Sequence, residues 1–224
     1  MNPYIQSLRL RTLPLSVSGI ILGTGLAAAD LGFQIYDLRF LLIFALAICT
    51  TLSLQILSNL SNELGDALKG TDSAQQEREA YGLQSGTLTE QSIRRMIGLF
   101  IGLSVLFGSA LVWVALPLWS TAFFVFLGLG LLAIIGAMTY TLGKHNYGYK
   151  GLGDIGVFLF FGLLSTMGAY YLQTQTMTYP IALCGAAIGM PCVGVLNLNN
   201  IRDMRNDITH GKRTLASRLG TNGS

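Results

Sequence analysis

The chain has 224 residues, of which 51% are hydrophobic and only 11% charged, with a mean hydropathy of +0.54 and a net charge of +3. Soluble domains carry about 25% charged residues, so a globule of this length could not cover itself with water-facing side chains. Composition excludes an ordinary soluble enzyme, and no acid-free basic patch is present to carry nucleic-acid recognition.

In chain order, Arg9 and Arg11 precede an apolar stretch closing on Ala27, Ala28 and Ala29, which imitates a signal peptide with its cleavage site. Further apolar spans follow, so a retained first membrane helix is the better reading. Six spans are predicted: Leu13–Ala29, Phe40–Ser61, Ile93–Leu116, Leu118–Tyr140, Ile155–Gln173 and Pro180–Asn199. Each has roughly the 17–25 residues a helix needs to cross the hydrocarbon core. Helices satisfy their own backbone in lipid, so the predicted fold is an all-α polytopic transmembrane bundle, a single domain over residues 1–224. Pro117 predicts a tight turn and Pro191 a kink. The 27 glycines suit close helix packing. Cys49, Cys184 and Cys192 lie within apolar runs and read as packing residues.

Thirteen of the 14 basic residues fall in connections on one side of the membrane, leaving Arg39 alone on the other. The basic side, with the N-terminus, is therefore expected in the cytoplasm, at a cell inner membrane. Nine of the 11 acids share that side, with Asp30 and Asp37 opposite. Topology explains the cations there but not the anions.

The acids form two clusters. At an offset of 141 residues, Asn59, Asn62, Asp66 and Gly70 superpose on Asn200, Asp203, Asp207 and Gly211. This spacing places each trio of oxygen ligands on one helical stripe, and each glycine suits a helix end. An internal repeat with a site between its halves is one reading. An offset of 138, from Asn59-Leu60 to Asn197-Leu198, leaves the register open. Asp and Asn oxygens suit Mg²⁺, which commonly binds through carboxylates plus substrate phosphates. Arg202, Arg205, Lys212 and Arg213 offer charge-assisted bonds to a diphosphate. The set matches a substrate with an anionic head and an apolar tail. Solvated helix ends with ordinary ion pairs are the plainer alternative. A secondary transporter would place its ionisable groups nearer mid-membrane.

The segments Asn59–Asp72 and Asn199–Lys212 resemble the two Asp-rich motifs of the UbiA superfamily of membrane prenyltransferases. Arg9-Leu-Arg11-Thr12-Leu-Pro14-Leu-Ser16, Tyr147-Gly-Tyr149-Lys-Gly151-Leu-Gly153-Asp154 and Gly211-Lys212-Arg-Thr214-Leu-Ala-Ser-Arg218-Leu-Gly220 are similar to its menaquinone branch. The resemblance covers essentially the whole chain. It implies nine membrane helices where this chain shows about six, and so a chain truncated at its C-terminus, with a catalytically incomplete fragment as one alternative. Glu63 stands where the family commonly has Asp.

By the same resemblance, a polyprenyl group passes from polyprenyl diphosphate to 1,4-dihydroxy-2-naphthoate with decarboxylation, giving demethylmenaquinol; 4-hydroxybenzoate, haem or a chlorophyllide are alternative acceptors. Mg²⁺ is expected between the motifs and the diphosphate, with Asn62, Asp66, Asp203 and Asp207 foremost and Asn59, Asp72, Asn199 and Asn200 supporting. Lys144, Arg205 and Lys212 are the expected diphosphate clamps, with positive-inside anchoring as their bland alternative. Tyr140, Tyr147 and Tyr149 are candidates to face allylic cation character through their rings, against interfacial anchoring. Asp154 is a candidate to orient or deprotonate the acceptor, or simply to start a helix. His145 and His210 read as solvated loop residues.

Overall fold

The computed structural model describes residues 2–32, 37–70, 81–144, 146–209 and 211–220, apart from the side chains of Arg205 and Asn206. A short helix α1 (Pro3–Ser7) leads through a 3-10 turn (Leu10–Thr12) into α2 (Leu13–Asp30). Then come α3 (Leu38–Leu68), α4 (Glu90–Ala115) and α5 (Thr121–Thr139). A rod over Gly153–Thr174 consists of α6 (Gly153–Val157), a π-helical stretch (Phe158–Leu164) and α7 (Ser165–Thr174). It is followed by α8 (Tyr179–Arg202), α9 (Met204–Thr209) and α10 (Leu215–Leu219). No strand occurs among the described residues.

Six helical segments are long and apolar enough to cross a membrane, matching the six predicted spans in order. The chain is a multi-pass membrane protein. α3 runs seven residues beyond its predicted end and so carries the first acidic cluster on helix. Pro117 sits in the α4–α5 turn, where Ser120 N–H bonds the Pro117 carbonyl and the Ser120 side chain caps α5. α8 continues as one helix on both sides of Pro191.

Packing follows small residues. α3 lies along α4, α2 along α7, and α8 along the π-helical stretch. At the last crossing, a Cβ on Gly162 would come 2.6 Å from the Gly189 Cα, so the backbones touch where side chains are absent. α5 is the exception. It leans on α3 and α4 but contains no fully buried residue.

Two of the sparse charges at the end opposite the acidic clusters serve helix ends, and the third ties two helices together. The Asp37 carboxylate caps α3, and the Arg39 guanidinium donates to Val114 O (3.3 Å) and Ala115 O (2.7 Å) at the C-terminus of α4. Asp30 accepts from the Tyr170 hydroxyl at 2.6 Å. Arg39, the one cation out of place by the charge rule, is thus a carbonyl cap.

Candidate active site

α3 brings Asn59, Asn62 and Asp66 along its final turns and ends at Leu68 with Lys69 as its C-cap, after which Gly70 adopts a left-handed φ of 70°. Gly211 does the same at φ 74° beyond α9. Both glycines therefore end acidic segments, as their spacing predicts. The second cluster differs in one respect from a single stripe: α8 stops at Arg202 and Asp203 is the joint before α9. Arg202 grips the neighbouring carboxylate of Asp203 with two bonds (2.8 and 3.0 Å), which favours a break at that residue. Hydrogen bonds from Asp203 N–H to Asn199 O and from Asp207 N–H to Asp203 O still carry the register across.

Both clusters border one chamber of about 830 Å³. Its acidic end is lined by Asn59, Asn62 and Asp66 from α3, and by Asn199, Asn200, Asp203 and Lys212 from the second segment. Arg9, Arg11, Tyr81, Tyr140 and Tyr147 complete that end, and apolar side chains form most of the remainder. An anionic head and an apolar body are therefore accommodated in one space.

The two clusters meet around Tyr149, which is buried. Its hydroxyl donates to Asp66 Oδ1 at 2.9 Å. The Lys69 ammonium lies 3.5 Å from the ring centre and donates to Thr141 O at 2.6 Å. Lys212 Nζ stands 5.7 Å from the same ring and pairs with Asp207 Oδ1 at 3.2 Å. The Tyr149 carbonyl accepts from Arg213 N–H at 3.0 Å, tying the Gly148–Lys150 turn to the chain after α9. One phenol thus touches a carboxylate and a cation of the first motif and faces the cation of the second.

Burial pushes the Asp207 carboxyl upward, partly offset by Lys212, while the charges on Asp203 and Asp66 add to the rise. Burial also lowers the Lys69 ammonium, against the pull of Asp66. Tyr147 is raised to about 12 by burial, and Tyr140 is raised too, first by burial and then by Tyr147 and the acids around it. Both phenols stay neutral, their rings edge-to-face at 5.2 Å, and the Tyr147 hydroxyl donates to Gly136 O at 3.1 Å.

The remaining candidates serve packing or lie away from the chamber. The Asn59 amide donates to Leu8 O (2.9 Å) and Thr12 Oγ1 (3.0 Å), and its oxygen accepts from Gln55, so it fastens the N-terminal turn to α3. Glu63 is fully buried and points away from the chamber, accepting from Ser7 Oγ (3.2 Å) and Leu83 N–H (2.8 Å). Its carboxylate ties α1 and the segment before α4 to α3. Asp154 occupies the first turn of α6 and does not line the chamber. Lys144 is exposed and away from it. Asp72, His145, His210 and the Arg205 side chain lie outside the described residues.

Sequence reasoning missed the roles of Lys69 and Arg9. Lys69 follows Asp66 by three residues, a spacing that was legible. Arg9 has a left-handed backbone (φ 52°), stacks 4.1 Å over Tyr81, and keeps Nε and Nη2 buried without hydrogen-bond partners among the described residues. Its adjacency to the chamber arises only from tertiary packing.

A chamber with carboxylates, amides and cations at one membrane-proximal end, and apolar walls below, defines a membrane protein that handles a lipid-tailed anion. The chain belongs to the UbiA prenyltransferase family, which it matches over residues 16–224. It is 45% identical over 218 residues to the 1,4-dihydroxy-2-naphthoate octaprenyltransferase of Escherichia coli, covering 97% of this chain and 68% of that protein. The enzyme of the same description from Haemophilus influenzae is 41% identical over 222 residues (98% and 70%). That from Mycobacterium tuberculosis is 32% identical over 217 residues (97% and 70%). No solved structure matches the chain.

Proposed function

We propose that this protein transfers a polyprenyl group from polyprenyl diphosphate to 1,4-dihydroxy-2-naphthoate, forming demethylmenaquinol, diphosphate and CO₂, within a single membrane domain. The carrying observation is that Asp66 and Asp203, 137 residues apart in the chain, line one chamber with Lys212, above apolar walls. Similarity to three naphthoate octaprenyltransferases supports the acceptor and a long donor. The excess of Lys and Arg at the acidic end supports a cytoplasmic site at the inner membrane.

Mg²⁺ fits these residues. Asp207 is 1% exposed and its Oδ2 has no hydrogen-bond partner among the described residues, an expensive arrangement for a carboxylate without further positive charge. No cluster of three His, Cys, Asp or Glu capable of holding a metal alone occurs among the described residues. That suits an ion bound through one or two carboxylates with substrate phosphates completing the shell. Asp66 and Asp203, which line the chamber, would hold it with Asn62 and Asn200, while Asp207, which does not line it, would support them from behind; the bound ion would neutralise charge on the departing diphosphate.

The chain's own residues do the rest. Lys212 adds positive charge beside the diphosphate, and Asp207 holds it in place, while Lys69 and Asp66 fix the Tyr149 ring behind it. The allylic C–O bond breaks with its electron pair leaving on diphosphate, and the neutral Tyr140 and Tyr147 rings present their faces to the resulting cationic carbon. Apolar walls exclude the water that would otherwise capture it. A ring carbon of the acceptor forms the new C–C bond, and the electrons of the acceptor's carboxylate bond return to the ring as CO₂ departs.

Purified protein should consume polyprenyl diphosphate and dihydroxynaphthoate only with Mg²⁺, and Asp66→Ala or Asp207→Ala should abolish turnover while membrane insertion persists. Undiminished turnover in either variant would overturn the assignment.

A further inference from the structure

Arg9 borders the acidic end of the chamber, yet its Nε and Nη2 are buried with no hydrogen-bond partner among the described residues. Two other cations of that end are committed: Lys212 pairs with Asp207 at 3.2 Å and Arg202 with Asp203 at 2.8 Å. The Tyr81 ring, centred 4.1 Å from the Arg9 guanidinium carbon, offers a π-face but no lone pair. Burying N–H groups of a cation without acceptors is costly, and so is a left-handed backbone (φ 52°) at a residue with a side chain. Both costs fall on one residue, and such strain persists only where the surroundings hold it.

Glu63 does the holding. Its Oε1 accepts from Ser7 Oγ (3.2 Å), two residues before Arg9, and from Leu83 N–H (2.8 Å), two residues after Tyr81. Ser7 is fully buried, and a Cβ on Gly82 would come 3.0 Å from its Oγ and 2.5 Å from Leu88 Cδ1, so the two segments lie in direct contact. Four residues earlier on the same face of α3, the Asn59 amide donates to Leu8 O at 2.9 Å. Both halves of the Arg9–Tyr81 stack are thus fastened to α3 from behind the chamber.

We propose that Arg9 binds an oxyanion of a substrate at the acidic end of the chamber, and that Glu63 is its positioning residue, acting through Ser7 and Leu83. The inference rests on the transferase reading above. Each substrate of that reaction carries an oxyanion, the donor its diphosphate and the acceptor its carboxylate. A guanidinium receives either through paired N–H bonds. Such a group supplies the acceptor that the protein does not, so binding relieves the cost of the unpaired N–H groups.

Affinity is measured without turnover, by calorimetry on the full chain in detergent micelles with Mg²⁺. The probes are farnesyl methylenediphosphonate, 1,4-dihydroxy-2-naphthoate and 1,4-dihydroxynaphthalene, which lacks the carboxylate. Arg9→Gln should weaken the diphosphonate or the naphthoate about tenfold or more, while dihydroxynaphthalene stays within about twofold. Loss for the diphosphonate assigns Arg9 to the donor, and loss for the naphthoate assigns it to the acceptor. No loss for either, or an equal loss for all three, overturns the site. Both bonds to Glu63 end on Oε1, while Oε2 has no partner among the described residues. Glu63→Gln keeps that acceptor and should bind as wild type. Glu63→Ala should reproduce the selective loss, and adding Arg9→Gln to it should bring no further loss. Glu63→Ala that weakens neither oxyanion probe, or whose effect adds fully to that of Arg9→Gln, overturns the positioning role. Wild-type protein that binds both substrate probes but transfers nothing would sink the transferase reading and leave the site standing. Wild-type protein that binds neither overturns the site.

Discussion

Replacing Tyr149 by Phe removes its hydrogen bond to Asp66 while keeping the ring that Lys69 and Lys212 face. The lost bond is 2.9 Å long, and its acceptor, Asp66, is only 8% exposed, so bulk water does not readily replace the hydroxyl. A hydrogen bond to a charged group is worth about 1.5–3 kcal/mol. Since the cation–ring contact survives, no further loss is expected from Phe, whereas Tyr149→Ala should cost about 3–5 kcal/mol through the emptied ring site as well. Unfolding of the metal-free protein in mixed detergent micelles measures both. If the same bond orients Asp66 during transfer, its loss should appear as a fall of about 10- to 100-fold in kcat/KM. Tyr149→Phe with wild-type stability and wild-type turnover would refute the idea that this phenol organises the two motifs.

Lys212→Met leaves Asp207 without its cation and should destabilise by about 3–5 kcal/mol near neutral pH. Because burial raises the folded-state pKa of Asp207, its protonated form favours folding at low pH and that favour is lost as pH rises from about 4 through the raised value. Without Lys212 the pKa should rise further, so the deficit at pH 8 should exceed that at pH 5 in thermal unfolding, and Asp207→Asn should relieve it. Glu63→Ala strands Ser7 Oγ and Leu83 N–H; it should cost about 1–3 kcal/mol and speed proteolysis near Leu83, while leaving the Mg²⁺ dependence of turnover unchanged. Gly162→Ala forces a methyl against the Gly189 backbone and should cost about 1–3 kcal/mol by thermal unfolding.

Much of this protein was legible in its sequence because lipid imposes a simple rule. Apolar runs of bilayer length must become helices, so the six spans and their order followed from hydropathy. The shared spacing of Asn62 and Asp66 with Asp203 and Asp207 exposed the two clusters, although only the first lies on one continuous helix and the second breaks at Asp203. Gly70 and Gly211 marked their ends because glycine accepts a left-handed backbone.

Partnership was decided only in three dimensions. Glu63 and Asp66 are three residues apart, yet one is locked behind the chamber by Ser7 and Leu83 while the other faces it. Lys144 and Lys69 are both basic residues beside membrane spans, but the one expected to clamp, Lys144, lies away from the chamber, and it is Lys69 that reaches Tyr149. The apolar runs contained no sign of which helices wall the chamber, because a helix facing a cavity and a helix facing lipid have the same composition. Local chemistry repeats along a chain and can be read there; which side chains share a space depends on how helices cross, and no periodicity encodes that.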